Sequence, residues 1–401
     1  MDPTLSTIQD NENEQWDTNV VRHSVLIPSH PKKIDHEMNT RLLLYGSMSD
    51  DIKIEPIRPC DLTNYDSKTR KVYNTQVPFP GRKPNDIELY PQITRHYITQ
   101  YSQIWKHTDI QYTNERDTYA KLLREDPQSA RMIATVMGYF FDADNLVLQN
   151  LGDNLLNCFD VPEINRVLNF MTVMETEHSL TYRDMVLAIL PHDEALKIMG
   201  MSEASPIVKN KVDWVKEIVG IGEMTIPMRI AVMIVIEGIF FASSFSIFGA
   251  FRQENLLHGL SEANTAIQKD EWCHVVFGIE LYNLYVHTFG FEPVPVKTLK
   301  KLFYEASLVE REFARSVIGE GHNKYVNLKE QDHYVKHMTD LLLNNIGGGY
   351  VYGNASNPLS YMEIQSGDVR ESLFEKRSTS YLNGVFKRNP NHVGIMKPED
   401  M

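Results

Sequence analysis

The chain has 401 residues, 42% of them hydrophobic, with net charge −13 and a pI of about 5.6. That is enough apolar sequence for one large core or two modest ones, and the acidic balance argues against nucleic acid or an anionic membrane as the main partner. Cys60, Cys158 and Cys273 are widely spaced and odd in number; they form neither a disulfide framework nor a zinc pattern, and they fit a reducing compartment, so a cytoplasmic location is expected.

In chain order, residues 1–84 read as a polar, proline-punctuated N-terminal extension, loosely structured. Its first residues lack the apolar centre of a signal peptide. A helical domain is expected over 85–346, with helices over 91–105, 115–124, 128–156, 161–190, 208–219, 225–254, 260–289, 295–319 and 329–345. Strand alternation is weak throughout. The run 228–251 is long enough to span a bilayer, but it carries Arg229 and Glu237. A carboxylate near its middle is expensive in lipid and useful as a buried ligand, so it reads as a core helix and no membrane partner is expected. After Gly347-Gly348-Gly349 the residues 347–401 read as a flexible tail.

Two of the long helices carry the chemistry. Glu175-Thr-Glu-His178 and Glu271-Trp-Cys-His274 are both Glu-x-x-His units. At about 100° per residue, positions i and i+3 share a helix face, so each unit offers a carboxylate and an imidazole to one point. One such unit would mean little, because the spacing recurs by chance. Two of them, plus a lone carboxylate from each of two further helices, make a cage for a pair of metal ions. Glu237 is one lone carboxylate; Asp144 or Asp142, on different faces of the 128–156 helix, supplies the other. Carboxylates with one imidazole per metal suit two iron ions, or manganese, rather than thiolate-bound zinc.

Tyr182 follows His178 by four residues, on the same face. A phenol beside a centre that activates dioxygen is a candidate for one-electron oxidation. Phe241 and Phe245 follow Glu237 by four and eight residues, and Ile267 precedes Glu271 by four. Together they would form a dry box that keeps water and reductants from a radical.

These stretches resemble the small, radical-generating subunit of class I ribonucleotide reductase. The carriers are Glu175-Thr-Glu-His-Ser-Leu-Thr-Tyr182, Glu237-Gly-Ile-Phe-Phe-Ala-Ser-Ser-Phe245 and Ala266-Ile-Gln-Lys-Asp-Glu-Trp-Cys-His274. The resemblance covers roughly residues 90–385. Its spacing selects Asp144 over Asp142, so that Asp144, Glu175, His178, Glu237, Glu271 and His274 match the six metal ligands and Tyr182 matches the radical tyrosine. It implies an all-α, ferritin-like helical bundle with additional helices, and a homodimer that works with a separate large subunit.

The resemblance further implies an electron and proton route from His178 through Asp270 to Trp105, a tryptophan of an early helix. Phe374-Glu-Lys-Arg-Ser-Thr-Ser-Tyr381 resembles the segment that carries the interfacial redox tyrosine, here Tyr381. The last residue is Met401, where many members end in an aromatic residue or leucine. The implied reaction uses dioxygen to make a stored tyrosyl radical, which passes to the large subunit for reduction of ribonucleotides. An oxidase of the same fold, or a metal-storage bundle, would need the cage but not Tyr182, Trp105 and Tyr381 together.

Overall fold

The computed structural model describes residues 90–362, apart from 157, 160, 200–204, 221–223, 289, 290 and 320–322; the side chains of 142, 144–146, 149, 153, 154, 207 and 288 are also outside the description. Among the described residues all regular structure is helical. The helices are α1 Pro91–Ser102, α2 Glu115–Glu125, α3 Pro127–Asn150, α4 Pro162–Ile189, α5 His192–Ile198, α6 Pro206–Val219, α7 Ile226–Gly238, α8 Ala242–Gln253, α9 His258–Asn283, α10 Val296–Ile318 and α11 Leu328–Asn345.

Their starts are written locally. Pro91, Pro127, Pro162 and Pro206 open α1, α3, α4 and α6 at a position where a missing N–H costs nothing. Asp126, Thr225 and Asn327 accept hydrogen bonds from free first-turn amides of α3, α7 and α11. The ends of α3 and α9 relax into π-helical turns, Leu151–Leu155 and Leu284–Thr288, where the sequence predicts uninterrupted helix.

Four helices make the central bundle. α3 packs on α4, α7 on α9, and α4 on α9. α10 and α11 pack together and close the bundle over α7 and α8. The apolar segment Ile226–Gln253 has the length and hydropathy of a membrane span, yet its apolar stretch is wholly enclosed by the other helices. It is a core element.

The expected single helix over 225–254 is in fact two. Ile239, Phe240 and Phe241 form an irregular turn between α7 and α8. The Phe240 amide donates back to Val235 O at 3.3 Å, a π-type bond, and the Ala242 amide to Ile239 O at 3.1 Å. Backbone groups released there find other partners. Tyr139 Oη donates to Phe240 O at 3.1 Å, and the Ser243 amide donates to Glu310 Oε1 at 3.0 Å. These tertiary bonds favour the break, and periodicity along α7 cannot reveal them.

Gly238 stands at the end of α7 because α11 crosses it. A Cβ there would collide with the Leu342 side chain and crowd Val275. Gly238→Ala is expected to destabilise the fold by about 1–3 kcal/mol through overpacking, read as a lower denaturation midpoint at unchanged slope.

The packed chain continues past the expected boundary at 346. Asp340 Oδ1 accepts the amides of Val351 and Tyr352 at 2.7 and 2.9 Å, and Oδ2 those of Asn354 and Ala355 at 2.7 and 3.0 Å. Val351, Leu359 and Met362 are buried. One carboxylate with four backbone donors fixes a segment that looks like the start of a loose tail in the sequence.

Candidate metal centre

Each Glu-x-x-His unit lies well inside a long helix, Glu175 and His178 in α4, Glu271 and His274 in α9. Glu237 enters from the last turn of α7. All five side chains are buried. His178 Nδ1 lies 3.4 Å from Glu175 Oε2 and 3.1 Å from Glu271 Oε1. His274 Nδ1 lies 3.1 Å from Glu175 Oε1 and 3.5 Å from both Glu237 Oε2 and Glu271 Oε2. One donor atom from each of Glu175, Glu237, Glu271 and His274 falls within 4.8 Å of the others. Five of the six expected ligands are thus brought to one point. Asp144 belongs to α3, with its side chain outside the described residues, as is that of Asp142.

Both oxygens of Glu175 and Glu271, Glu237 Oε2 and the two Nδ1 atoms are buried without a hydrogen bond. Buried polar atoms nearly always have partners. A group of orphaned oxygens and imidazole nitrogens facing one another is what divalent ions satisfy, and the oxygen-rich set with two imidazoles fits iron or manganese.

Without metal, the carboxylates compete for protons. Burial, then the charge of Glu271, pushes Glu237 well above the usual carboxylate range. Burial opposes protonation of His178 and His274, but the carboxylates around them, Glu175 foremost, outweigh it and raise both well above the usual imidazole value. Burial also acts to raise Glu271, whose contacts with Glu237, His178 and His274 win and hold it far below its usual range. Three of these groups therefore keep protons in the folded state that the unfolded chain gives up at lower pH. Where the folded state binds more protons, stability falls as pH rises. Glu271 alters stability only in the acid range. Metal-free protein is thus expected to lose thermal stability as pH rises, through Glu237 from about 4.5 and through His178 and His274 from about 6.5. Metal-loaded protein should escape this loss, since metal binding displaces the same protons. Parallel melting curves over rising pH check it.

A chain of side chains leaves the cage. His178 Nε2 lies 3.1 Å from Asp270 Oδ2, and Trp105 Nε1 donates to the same oxygen at 2.8 Å. With Nε2–H donated to the carboxylate, His178 turns Nδ1 to the cage, where a metal would displace its proton and take the lone pair. The Trp105 and His178 rings lie near-parallel with centroids 5.8 Å apart. Trp105 is not in a helix. α1 ends at Ser102, and the tryptophan sits in the connection after it. That connection is pinned by Glu177 Oε2, which accepts the His107 amide at 2.9 Å and meets His107 Nδ1 at 2.8 Å.

Tyr182 is fully buried in α4 and stacks on Phe140 of α3, with centroids 4.5 Å apart and planes 7° from parallel. Phe140 in turn touches Phe241, Phe245 and Phe248 at 5.7, 5.1 and 5.7 Å. Ile267 is fully buried in α9, one turn before Glu271. Phe140 and Phe248 are absent from the expected pocket. Phe140 was findable, because it precedes Asp144 by one helical turn. Tyr381 lies outside the described residues.

Comparison with known proteins agrees with this geometry. The family model described as "Ribonucleotide reductase, small chain" matches residues 85–358. The ribonucleoside-diphosphate reductase small chain of Trypanosoma brucei brucei is 27% identical over 320 residues, covering 78% of this chain and 91% of that protein. Among solved structures, the ribonucleotide reductase Rnr4 homodimer of Saccharomyces cerevisiae superposes with a TM-score of 0.61 at 22% identity, covering 74% of this chain and 92% of the other. The dimanganese(II)-NrdF of Streptococcus sanguinis superposes with a TM-score of 0.61 at 18% identity, covering 72% and 99%. At these identities the two structures speak for a shared fold.

Proposed function

Because the chain belongs to the ribonucleotide reductase small-chain family, we propose that it stores an oxidising equivalent on Tyr182 and delivers it to a large subunit that reduces ribonucleoside diphosphates. Asp144, Glu175, His178, Glu237, Glu271 and His274 would hold two iron or manganese ions. Such a pair, once bound, supplies the electrons that reduce dioxygen and the oxidising power that tyrosine oxidation requires.

The protein's own residues do the rest. Tyr182 gives up an electron and its phenolic proton, and the aromatic box around Phe140, Phe241 and Phe245 excludes the water and reductants that would quench it. Asp270 fixes the tautomer of His178 and offsets positive charge arising on Trp105. Tyr381 would carry the equivalent across the subunit boundary. A homodimer in a reducing, cytoplasmic setting accords with the family and with the burial of Cys158 and Cys273, far apart in the chain.

The observation that carries this reading is the Trp105–Asp270–His178 hydrogen-bond chain. An oxidase or a storage bundle has no use for an oxidisable indole wired to a metal-facing imidazole. The test is low-temperature electron paramagnetic resonance after metal-free protein receives ferrous iron and oxygen, with metal quantified in parallel. Two metals per chain and a tyrosyl signal are expected. Metal uptake without any tyrosyl signal would sink the radical role.

A further inference from the structure

Lys211 of α6 is fully buried beside the aromatic box. Its Nζ lies 2.5 Å from Glu310 Oε2 of α10. It also sits over two rings, 3.7 Å from the Tyr139 centroid and 4.0 Å from that of Phe313. Glu310 accepts the amide and the hydroxyl of Ser243, at the start of α8. Burial draws the Lys211 ammonium down to about 8 and pushes the Glu310 carboxyl up, and the charge of each opposes the shift in the other. A buried ion pair is weak evidence for stability, since apolar residues of similar volume often serve a core as well. The place where the ammonium points therefore carries the information.

Tyr139 is an oxidisable ring one layer from Tyr182. Its centroid is 5.9 Å from Phe140, and Phe140 is 4.5 Å from Tyr182. Left alone, it could surrender an electron to an oxidised Tyr182. An ammonium on a ring face is attracted by the ring's electron density, and it is repelled by the positive charge that the ring gains on losing an electron. The Tyr139 hydroxyl donates to Phe240 O at 3.1 Å, an amide oxygen too weakly basic to take the proton. We infer that Lys211 guards Tyr139 against oxidation, so that the unpaired electron stays on Tyr182. The inference rests on the radical role of Tyr182 proposed above. In the step it prevents, one electron passes from Tyr139 to the Tyr182 radical. The phenolic proton that Tyr139 gives up balances the one that Tyr182 regains, so that only the radical changes place and is left on Tyr139.

A Lys211→Met, Glu310→Gln protein removes both charges together, so that no lone ion is stranded. Lys211→Gln, which can hydrogen-bond a protonated Glu310, is the second variant should the first not fold. After ferrous iron and oxygen, the tyrosyl signal of the variant is expected to decay severalfold faster than that of the unsubstituted protein and to show a second hyperfine pattern. Adding Tyr139→Phe should remove that pattern and restore the lifetime. An unchanged lifetime overturns the proposal. So does a shortened lifetime that Tyr139→Phe fails to restore, for the pair would then merely hold α8 in place. The same comparison can be read in metal-free protein, where tyrosyl radicals are made by ultraviolet irradiation in the cold and then annealed. They should leave Tyr139 in the unsubstituted protein and persist on it in the variant. If the unsubstituted, metal-loaded protein gives no Tyr182 signal at all, the radical reading itself fails and takes this proposal with it.

Discussion

Tyr182→Phe is expected to bind two metals per chain normally, to show no stored tyrosyl signal, and to support no nucleotide reduction above background when paired with a large subunit. The ring is fully buried and stacked on Phe140, and phenylalanine keeps that stacking. Only the hydroxyl is lost, at a stability cost of about 1 kcal/mol, too little to disturb a cage built from α4, α7 and α9. The chemical loss is total, because phenylalanine has no ionisable proton and a far higher oxidation potential. Metal analysis, paramagnetic resonance and turnover on one preparation separate these effects. Normal turnover would move the reading to a radical-free member of the family. Loss of metal together with loss of signal would mean that the hydroxyl supports the cage itself.

What the sequence made legible divides by range. The two Glu-x-x-His units were readable because a helix places i and i+3 side by side whatever surrounds it. Their convergence needed α4 to meet α9, which no local pattern states; the repetition of the unit and the family resemblance pointed to it. The break between α7 and α8 was hidden, since its causes, Tyr139 and Glu310, come from α3 and α10. Periodicity in that largely apolar stretch reads as helix straight through. The position of Trp105 outside α1 depends on the Glu177–His107 contact, likewise a tertiary fact. Lys211 gives no signal in sequence at all. It reads as one more lysine on an amphipathic helix until α10 places Glu310 against it.

Removal of everything after Met362 is expected to leave metal binding and Tyr182 oxidation intact while eliminating nucleotide reduction. The cut follows the last described packing contacts, with Met362 buried, Tyr361 Oη donating to Ser246 O at 3.1 Å and Asp340 holding its four amides. A cut after Asn345 is a different experiment. It strips buried Val351, Leu359 and Met362, each worth about 2 kcal/mol, and leaves the Asp340 carboxylate without its backbone donors. That protein should lose the fold, and its inactivity would carry no message about electron transfer. The point variant Tyr381→Phe then isolates the relay. It should abolish turnover with little change in large-subunit affinity and none in the Tyr182 signal. Wild-type turnover in Tyr381→Phe would send the route through another tyrosine. Tyr361 is hydrogen-bonded against α8, and Tyr352 lies against Ser307 at 2.7 Å, both turned to the body of the protein. Tyr350, 40% exposed on the same segment, would be the first to replace.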